Sequence, residues 1–439
     1  MTVEDLESEL SAVNLAEAPD GWATAAYRLA VARTEAAGRP EDIDQALALL
    51  GKAARIFTIE RAPLEHGRIL IAVANCHRAR GRTRDALEHF VSAAEILALR
   101  APAREYAGAL INVGLALCEA GKPSDGVDTL NRAIEQILTT QDDPGTGQRD
   151  DPEHEEMQRL LGAALINRAQ ARQTLGRDDE LESAVSDYEA AVAALPPTSL
   201  QAGMAAHGLG ATMLELCRRG SGFCDVHDAV EAFEQSLGVL SHTSFPFHHA
   251  VARHSLALAY ELRGMPGDPA RAVNSAYAAI SAFDPRLHAT HWHTAHATLT
   301  RLEAELGDGS QGSGLNHVAR LLADTTDAER DQILRDRLLR AASMPRVGMA
   351  ADLGSLIDSL VGLGLEKYRH VLRSLIGVLM ELPEQLLEAA CGALCRAHQA
   401  HVSTEALDRV LDEVITDRLF GPQRVKVRDL LEAKGWERP

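Results

Sequence analysis

Apolar positions in this chain recur at the three- and four-residue spacings of helices, and the helical segments follow one another in a regular succession punctuated by glycine. An apolar segment ends at each of Gly38, Gly81, Gly121, Gly176, Gly220, Gly264 and Gly307, at intervals of 43, 40, 55, 44, 44 and 43 residues. The stretches HGRILIAVANCHRARG (66–81), YAGALINVGLALCEAG (106–121) and GAALINRAQARQTLG (162–176) correspond position by position. Leu70, Leu110, Leu165 and Leu209 each stand eleven residues before their glycine. A glycine just past the last apolar position predicts a helix end, where a left-handed backbone costs it least. No run alternates in a way that predicts a strand.

The helix after each glycine carries a second signal. Small residues recur seven apart at Ala46/Ala53, Ala86/Ala93, Gly126/Ala133, Ala184/Ala191, Ala229/Ser236 and Ala272/Ala279. Residues seven apart lie two turns apart on one helical face, so the pair predicts close approach by a neighbouring helix. Four residues after the first small position stands a large knob, Leu50, Phe90, Leu130, Tyr188 or Phe233, with Ala276 the exception.

Alternating helices with this glycine, paired-small and knob pattern resemble the tetratricopeptide repeat (TPR) over roughly residues 20–307. Small residues in mid-first helix (Ala74, Gly114, Ala169, Ala257) and Pro196, twelve after Ala184, fit the same motif. The repeats are longer than the 34 residues of the family, partly through loops such as GRPEDID, GRDDELES and GSGFCDVHD. The resemblance implies an all-α fold: a right-handed superhelical solenoid of about seven hairpin units whose first helices line a concave face.

The rest of the chain divides around that array. Residues 1–19 form an acidic capping segment, and 140–156 (TQDDPGTGQRDDPEHEE) read as an acidic surface loop. The glycine- and serine-rich 308–314 reads as a linker. Residues 315–439 predict five or six further helices without the small-residue signature. Their segments GSLIDSLVGLGL and LRSLIGVLMELPEQLLEAACGALC are apolar nearly all round, which implies burial on more than one side. A compact helical bundle or a HEAT-like helical extension fits, with some surface available for a homodimer.

Composition narrows the function. The chain has 439 residues, 46% hydrophobic and only 4% aromatic, so its core is built from Ala, Leu and Val. Its net charge is −19, and residues 308–439 carry only −3 of it. A chain this acidic disfavours nucleic acid and anionic membranes as partners and favours a basic partner segment. No segment has the length and apolarity of a membrane span, and the acidic start lacks a secretory signal, so a cytoplasmic location is expected. The six cysteines include no Cys-x-x-Cys pair and read as reduced thiols. Phosphate-loop, H-E-x-x-H, G-x-S-x-G and dinucleotide motifs are missing, so no cofactor is expected.

Two groups of residues remain as candidates. In peptide-binding members of the resembled family, asparagines on the concave face hold a ligand backbone. Asn112 and Asn167, each nine before its glycine, and Asn75, six before its own, match those registers. The lysine positions of the family's carboxylate clamp hold Ile71 and Ala163 instead, which argues against recognition of a C-terminal carboxylate. Eight of eighteen histidines fall in 242–296. Among them His249, His288, His291, His293 and His296 are weak metal candidates, since imidazole suits Zn, Fe, Ni or Cu. The alternative for these rings is an aromatic-like packing layer around Trp292. Cys391, Cys395 and His398 share one helical face and are a weaker thiolate candidate. The leading expectation is a non-enzymatic scaffold holding a peptide or helix of a partner protein. The alternatives are a ligand-responsive regulatory sensor and a metal-dependent enzyme or metal carrier centred on the histidines.

Overall fold

The computed structural model describes residues 2–36, 39–141, 152–284, 286–306, 313–324, 326–342, 346–401 and 403–439. Gly38, Gly307 and most of the 140–156 and 308–314 segments lie outside the described residues. All regular structure among the described residues is helical. No described helix is long and apolar enough to cross a membrane. The chain forms two compact units, Met1–Thr212 and Met213–Pro439.

In the first unit a short helix α1 (Val3–Ala12) precedes four hairpins. These are α2 (Pro19–Ala36) with α3 (Pro40–Ile56), α4 (Pro63–Ala79) with α5 (Thr83–Arg100), α6 (Ala103–Glu119) with α7 (Pro123–Gln141), and α8 (Pro152–Leu175) with α9 (Asp178–Ala194). Helix α10 (Leu200–Arg218) runs across the boundary between the units. Residues 140–141 complete α7 and 152–156 open α8, so the helices reach into both ends of the acidic segment.

The glycine punctuation works as the backbone requires. Gly81, Gly121, Gly176, Gly220 and Gly264 all adopt positive φ, between 64° and 76°. After Gly81 the chain turns so that Arg82 N–H bonds to the His77 carbonyl at 2.9 Å, and after Gly121 Lys122 N–H bonds to Leu117 at 2.9 Å. Those bonds satisfy carbonyls that the helix end leaves open.

The small residues sit where helices meet. Ala46, Ala53, Ala86, Ala93, Ala133, Ala184, Ala191, Ala229, Ser236, Ala272 and Ala279 are all fully buried, as are the knobs Leu50, Phe90, Leu130, Tyr188 and Phe233. Approach is close at α6–α7, where a Cβ added to Gly126 would lie 3.0 Å from the Gly114 carbonyl oxygen and 2.5 Å from Cys118 Sγ. The first hairpins share their cores with their neighbours. One cluster joins Ala23 and Ala30 of α2 to Leu50 of α3 and to Ile69 and Cys76 of α4. The next joins Ala74 of α4 to Phe90 of α5 and Val113 of α6.

One polar seam crosses this apolar interior. Asp187, 3% exposed, accepts hydrogen bonds from Arg168 Nε at 3.0 Å and Arg172 Nη1 at 2.8 Å. Tyr188 donates to Gln173, whose amide donates to Thr212, at 2.9 and 2.8 Å.

The second unit continues with α11 (Val226–Val239), α12 (Pro246–Arg263), α13 (Asp268–Ala282) and α14 (Ala289–Leu306). Helix α11 starts at a capping box in which Asp225 and Asp228 bond each other's backbone N–H. Helices α12 and α13 form an extensive hairpin. There follow α15 (Ser313–Asp324), α16 (Asp327–Ala342), α17 (Arg346–Val361), α18 (Leu365–Leu379), α19 (Glu384–Gln399), α20 (Thr404–Arg418) and α21 (Gly421–Glu432). Here the packing changes. Helix α15 packs on α17, α16 on α18, α17 on α19, α18 on α20 and α19 on α21, more extensively than sequence neighbours do. Odd and even helices therefore make two layers, as in a stacked helical extension. The nearly all-round apolarity of α17–α19 follows, because each is covered by helices on two sides.

Two substitutions test this packing. Ala133→Leu forces a branched side chain into a fully buried helix contact and lowers unfolding free energy by about 1–3 kcal/mol, read by denaturant titration. A neutral result places Ala133 outside a helix contact. Asp187→Ala removes the carboxylate shared by two half-buried guanidiniums, which keep only Glu180, Ser183 and Asn131 as partners, and costs about 1–3 kcal/mol, whereas Arg177→Ala, at an exposed ion pair, costs at most about 1 kcal/mol.

Candidate functional site

In the first unit the first helices form one face. Helix α2 touches α4 and α6 touches α8, and two ion pairs tie α4 to α6. Arg68 donates to both oxygens of Glu105 at 2.6 and 2.9 Å, and Arg78 lies 3.8 Å from Glu119. The hydrogen bonds from Arg68 hold the Glu105 carboxyl below the usual range.

Two recesses open on this face. One of about 480 Å³ is lined by Val31, Thr34 and Glu35 of α2, by Ala72, Asn75, Arg78 and Ala79 of α4, and by Glu119. A second, of about 330 Å³, is lined by Thr24, Tyr27 and Arg28 of α2, Phe57, and Glu65, Arg68 and Ile69 of α4. Burial pushes the Tyr27 phenol above its ordinary pKa. Arg68 in one recess and Asn75 in the other are seven residues apart on α4, about 10.5 Å along its axis.

Asn75 is half-buried in the larger recess. Asn112 on α6 and Asn167 on α8 are half-buried on the next first helices and do not line it. Asn112 and Asn167 share the register of Ala72, nine before the glycine, and Ala72 lines the recess. The reading by asparagine position did not single out Glu35, Glu119, Tyr27 or Arg68. Counting three and four residues outward from Asn75 reaches Arg68, Ala72 and Arg78, and that was the available signal.

The histidines of the second unit have varied surroundings. His249 is buried, with Nδ1 2.8 Å from the Leu240 carbonyl oxygen and Nε2 3.4 Å from Arg253 Nε. A neutral ring donating from Nδ1 and accepting at Nε2 satisfies both contacts, which uses both nitrogens a metal would need. His66 does the same for the Phe57 carbonyl at 2.8 Å, so a ring fifteen residues before the glycine caps the preceding helix in two hairpins. His288 and His291 pack with Phe247 and Phe283, at centroid separations of 4.7 to 6.2 Å. His293 and His296 are exposed and lie against Trp292 at 5.2 and 5.0 Å. His254 Nε2 contacts Thr298 Oγ1 at 3.0 Å. Among the described residues no three His, Cys, Asp or Glu side chains converge as a metal site would need.

At the chain's end His398 is a structural hub. Its Nδ1 lies 2.7 Å from Asp408 Oδ1 and its Nε2 2.7 Å from the Tyr368 hydroxyl, while Trp436 Nε1 donates to the same Asp408 oxygen at 3.1 Å. Burial pushes the Cys391 thiol up to about 12 and raises Cys395, so neither is a ready thiolate.

His249 also sets a pH dependence. Burial and the Arg253 charge push its pKa down to about 4 from 6.5. The unfolded chain therefore binds more protons than the folded one between those values, and stability falls as pH drops through that window. The loss reaches on the order of 3 kcal/mol near pH 4. His249→Gln starts less stable at pH 7, but its stability falls less between pH 6.5 and 4.5, measured by denaturant titration at each pH. Equal slopes in both proteins would remove His249 as the cause.

No described protein family matches the chain, and no curated protein sequence matches it. Among solved structures, it is similar to the nearly identical TPR-like repeats of a Podosopora anserina kinesin light chain, 17% identical over 56% of this chain and 99% of that one, with TM-score 0.36. It is also similar to a Rap protein complexed with Competence and Sporulation Factor, at 14% identity over 69% of this chain and 79% of that one, TM-score 0.42. A third is a Pyrococcus horikoshii signal transduction ATPase with a tetratricopeptide repeat sensor, 11% identical over 86% of this chain and 52% of that one, TM-score 0.38. The chain's own hairpins, with their left-handed glycines, buried small pairs and knobs in register, make an all-helical repeat array that resembles TPR hairpins in design.

Proposed function

We propose that this chain is a non-enzymatic interaction scaffold that holds an extended segment of a partner protein against the first-helix face of its N-terminal unit. The observation that carries this reading is the recess at Asn75. A carboxamide is both donor and acceptor, and this one lies half-buried in a cavity of about 480 Å³ without a hydrogen bond to any described residue. A partner's peptide group supplies the missing pair, each bond contributing about 0.5–1.5 kcal/mol net.

The surroundings of Asn75 define the segment. Val31, Ala72 and Ala79 offer apolar contact to a small or aliphatic side chain. Glu35 and Glu119 are exposed, and one charge, Arg78, opposes their two. A basic side chain of the partner fits between them, in keeping with the net charge of −19. An extended chain rising about 3.3 Å per residue covers the distance to the second recess in about three residues. Asn112 and Asn167 carry the same chemistry onto α6 and α8.

The test compares wild type with the Asn75→Ala, Asn112→Ala, Asn167→Ala triple variant in capture from native lysate, followed by titration of the captured partner's segment. The triple variant keeps its helicity and melting midpoint while affinity falls about tenfold or more, the equivalent of about 1.4 kcal/mol. Glu35→Lys with Glu119→Lys weakens binding further and reduces its salt dependence. Undiminished affinity in the folded triple variant would overturn the reading.

A further inference from the structure

The turn after α10 brings two cysteines together. Cys217 lies in the last turn of α10, followed by Arg218, Arg219 and then Gly220, whose φ of 76° reverses the chain. Ser221 N–H bonds back to the Leu216 carbonyl at 3.0 Å, and Phe223 N–H bonds to Ser221 Oγ at 3.2 Å. This path returns Cys224, which immediately precedes the helix cap Asp225, over the end of α10. The two sulfurs are 3.7 Å apart. Cys217 Sγ lies 3.4 Å from the Cys224 carbonyl oxygen, and Cys224 Sγ lies 3.5 Å from that of Met213. Both residues are half-buried, unlike the buried Cys76, Cys391 and Cys395.

We infer that Cys217 and Cys224 are a reversible dithiol–disulfide site, closed by exchange with a low-molecular-weight disulfide. One thiol loses its proton and attacks a sulfur of the small disulfide, whose S–S bond breaks and releases one thiolate. The other protein thiol loses its proton, attacks the protein sulfur of this mixed disulfide and expels the second small thiolate. Two protein thiols are oxidised, one small disulfide is reduced to two thiols, and the two protons pass to the released thiolates.

Three features of the site support closure. The sulfurs are already in van der Waals contact, so the bond length of about 2.05 Å is reached by a shift divided between two side chains. Gly220 and Gly222 lie in the loop between the two cysteines, and an added Cβ at either meets nothing within 4 Å, so the backbone has room to adjust. The connecting segment is short, so the second step is intramolecular and fast relative to attack by another small thiol. Burial, with Asp225 and Asp228 nearby, raises both thiols, Cys224 up to about 12. The first step is therefore slow at neutral pH and accelerates as pH rises.

Full-length protein is equilibrated with mixtures of oxidised and reduced glutathione, quenched in acid, alkylated, denatured and digested with trypsin. Cleavage at Arg177, Arg218 and Arg219 places the two cysteines on separate peptides, 178–218 and 220–253, so a disulfide links them. The expected result is that linked pair as the main oxidised product, lost on addition of dithiothreitol and formed faster at pH 8.5 than at pH 7. Cys217→Ser and Cys224→Ser each leave the other cysteine as a glutathione adduct that does not resolve. Three results would overturn the inference: unlinked peptides at every glutathione ratio, two independent glutathione adducts in wild type, or linkage to the other four cysteines in equal yield.

Discussion

Two α-helices pack with their axes 8–10 Å apart only where the side chains between them are small enough to permit it, and the repeat region depends on that limit. Its second helices keep small residues seven apart, all fully buried, with a large knob between them in five hairpins of six. The small positions admit the neighbouring backbone and the knob fills the space beside it. At α6–α7 glycines face each other across the contact, and a methyl on either would meet atoms closer than 3 Å. A chain with only 4% aromatic residues builds its core this way because Ala, Leu and Val suit such short separations.

That packing leaves the first-helix face free for other uses. Two core clusters of the first unit are each shared between one hairpin and the next, so stability there accumulates by neighbour contacts in the manner of repeat proteins. The outer face of α2, α4 and α6 carries charges, an unpartnered carboxamide and two recesses, which Ile69 and Ala72 of the first cluster also line. Two of the polar groups that enter the interior are tied down: Asp187 by two arginines, and His398 between a phenol and a carboxylate. Such satisfied networks specify which helices meet, because no other partner completes their hydrogen bonds.

The hairpins were legible because their signals are local. Gly81, Gly121, Gly176, Gly220 and Gly264 announce a left-handed helix end by identity alone, and the pairs from Ala46/Ala53 to Ala272/Ala279 announce a contact face by period alone. Asn75, Asn112 and Asn167 could be placed on one face by counting back from those glycines. The histidine-rich stretch was legible as a cluster in sequence but not as a set of roles. Whether His249 caps a helix or serves as a metal ligand depends on which atoms lie beside it after α11, and no spacing within α12 records that.

Helix boundaries, turn positions and buried faces were determined by the sequence itself, since each follows from backbone geometry and from a period of three to four residues. Tertiary structure decided what lies across from each residue. It placed Glu35 and Glu119 around Asn75, set Cys217 against Cys224, and layered α15–α21 by alternate helices although those helices carry no repeat signature. The physical reason is the range of the interactions: a helix end or an amphipathic face is specified within a few residues of chain. A recess, an ion pair or a sulfur contact exists only when segments distant in sequence have packed.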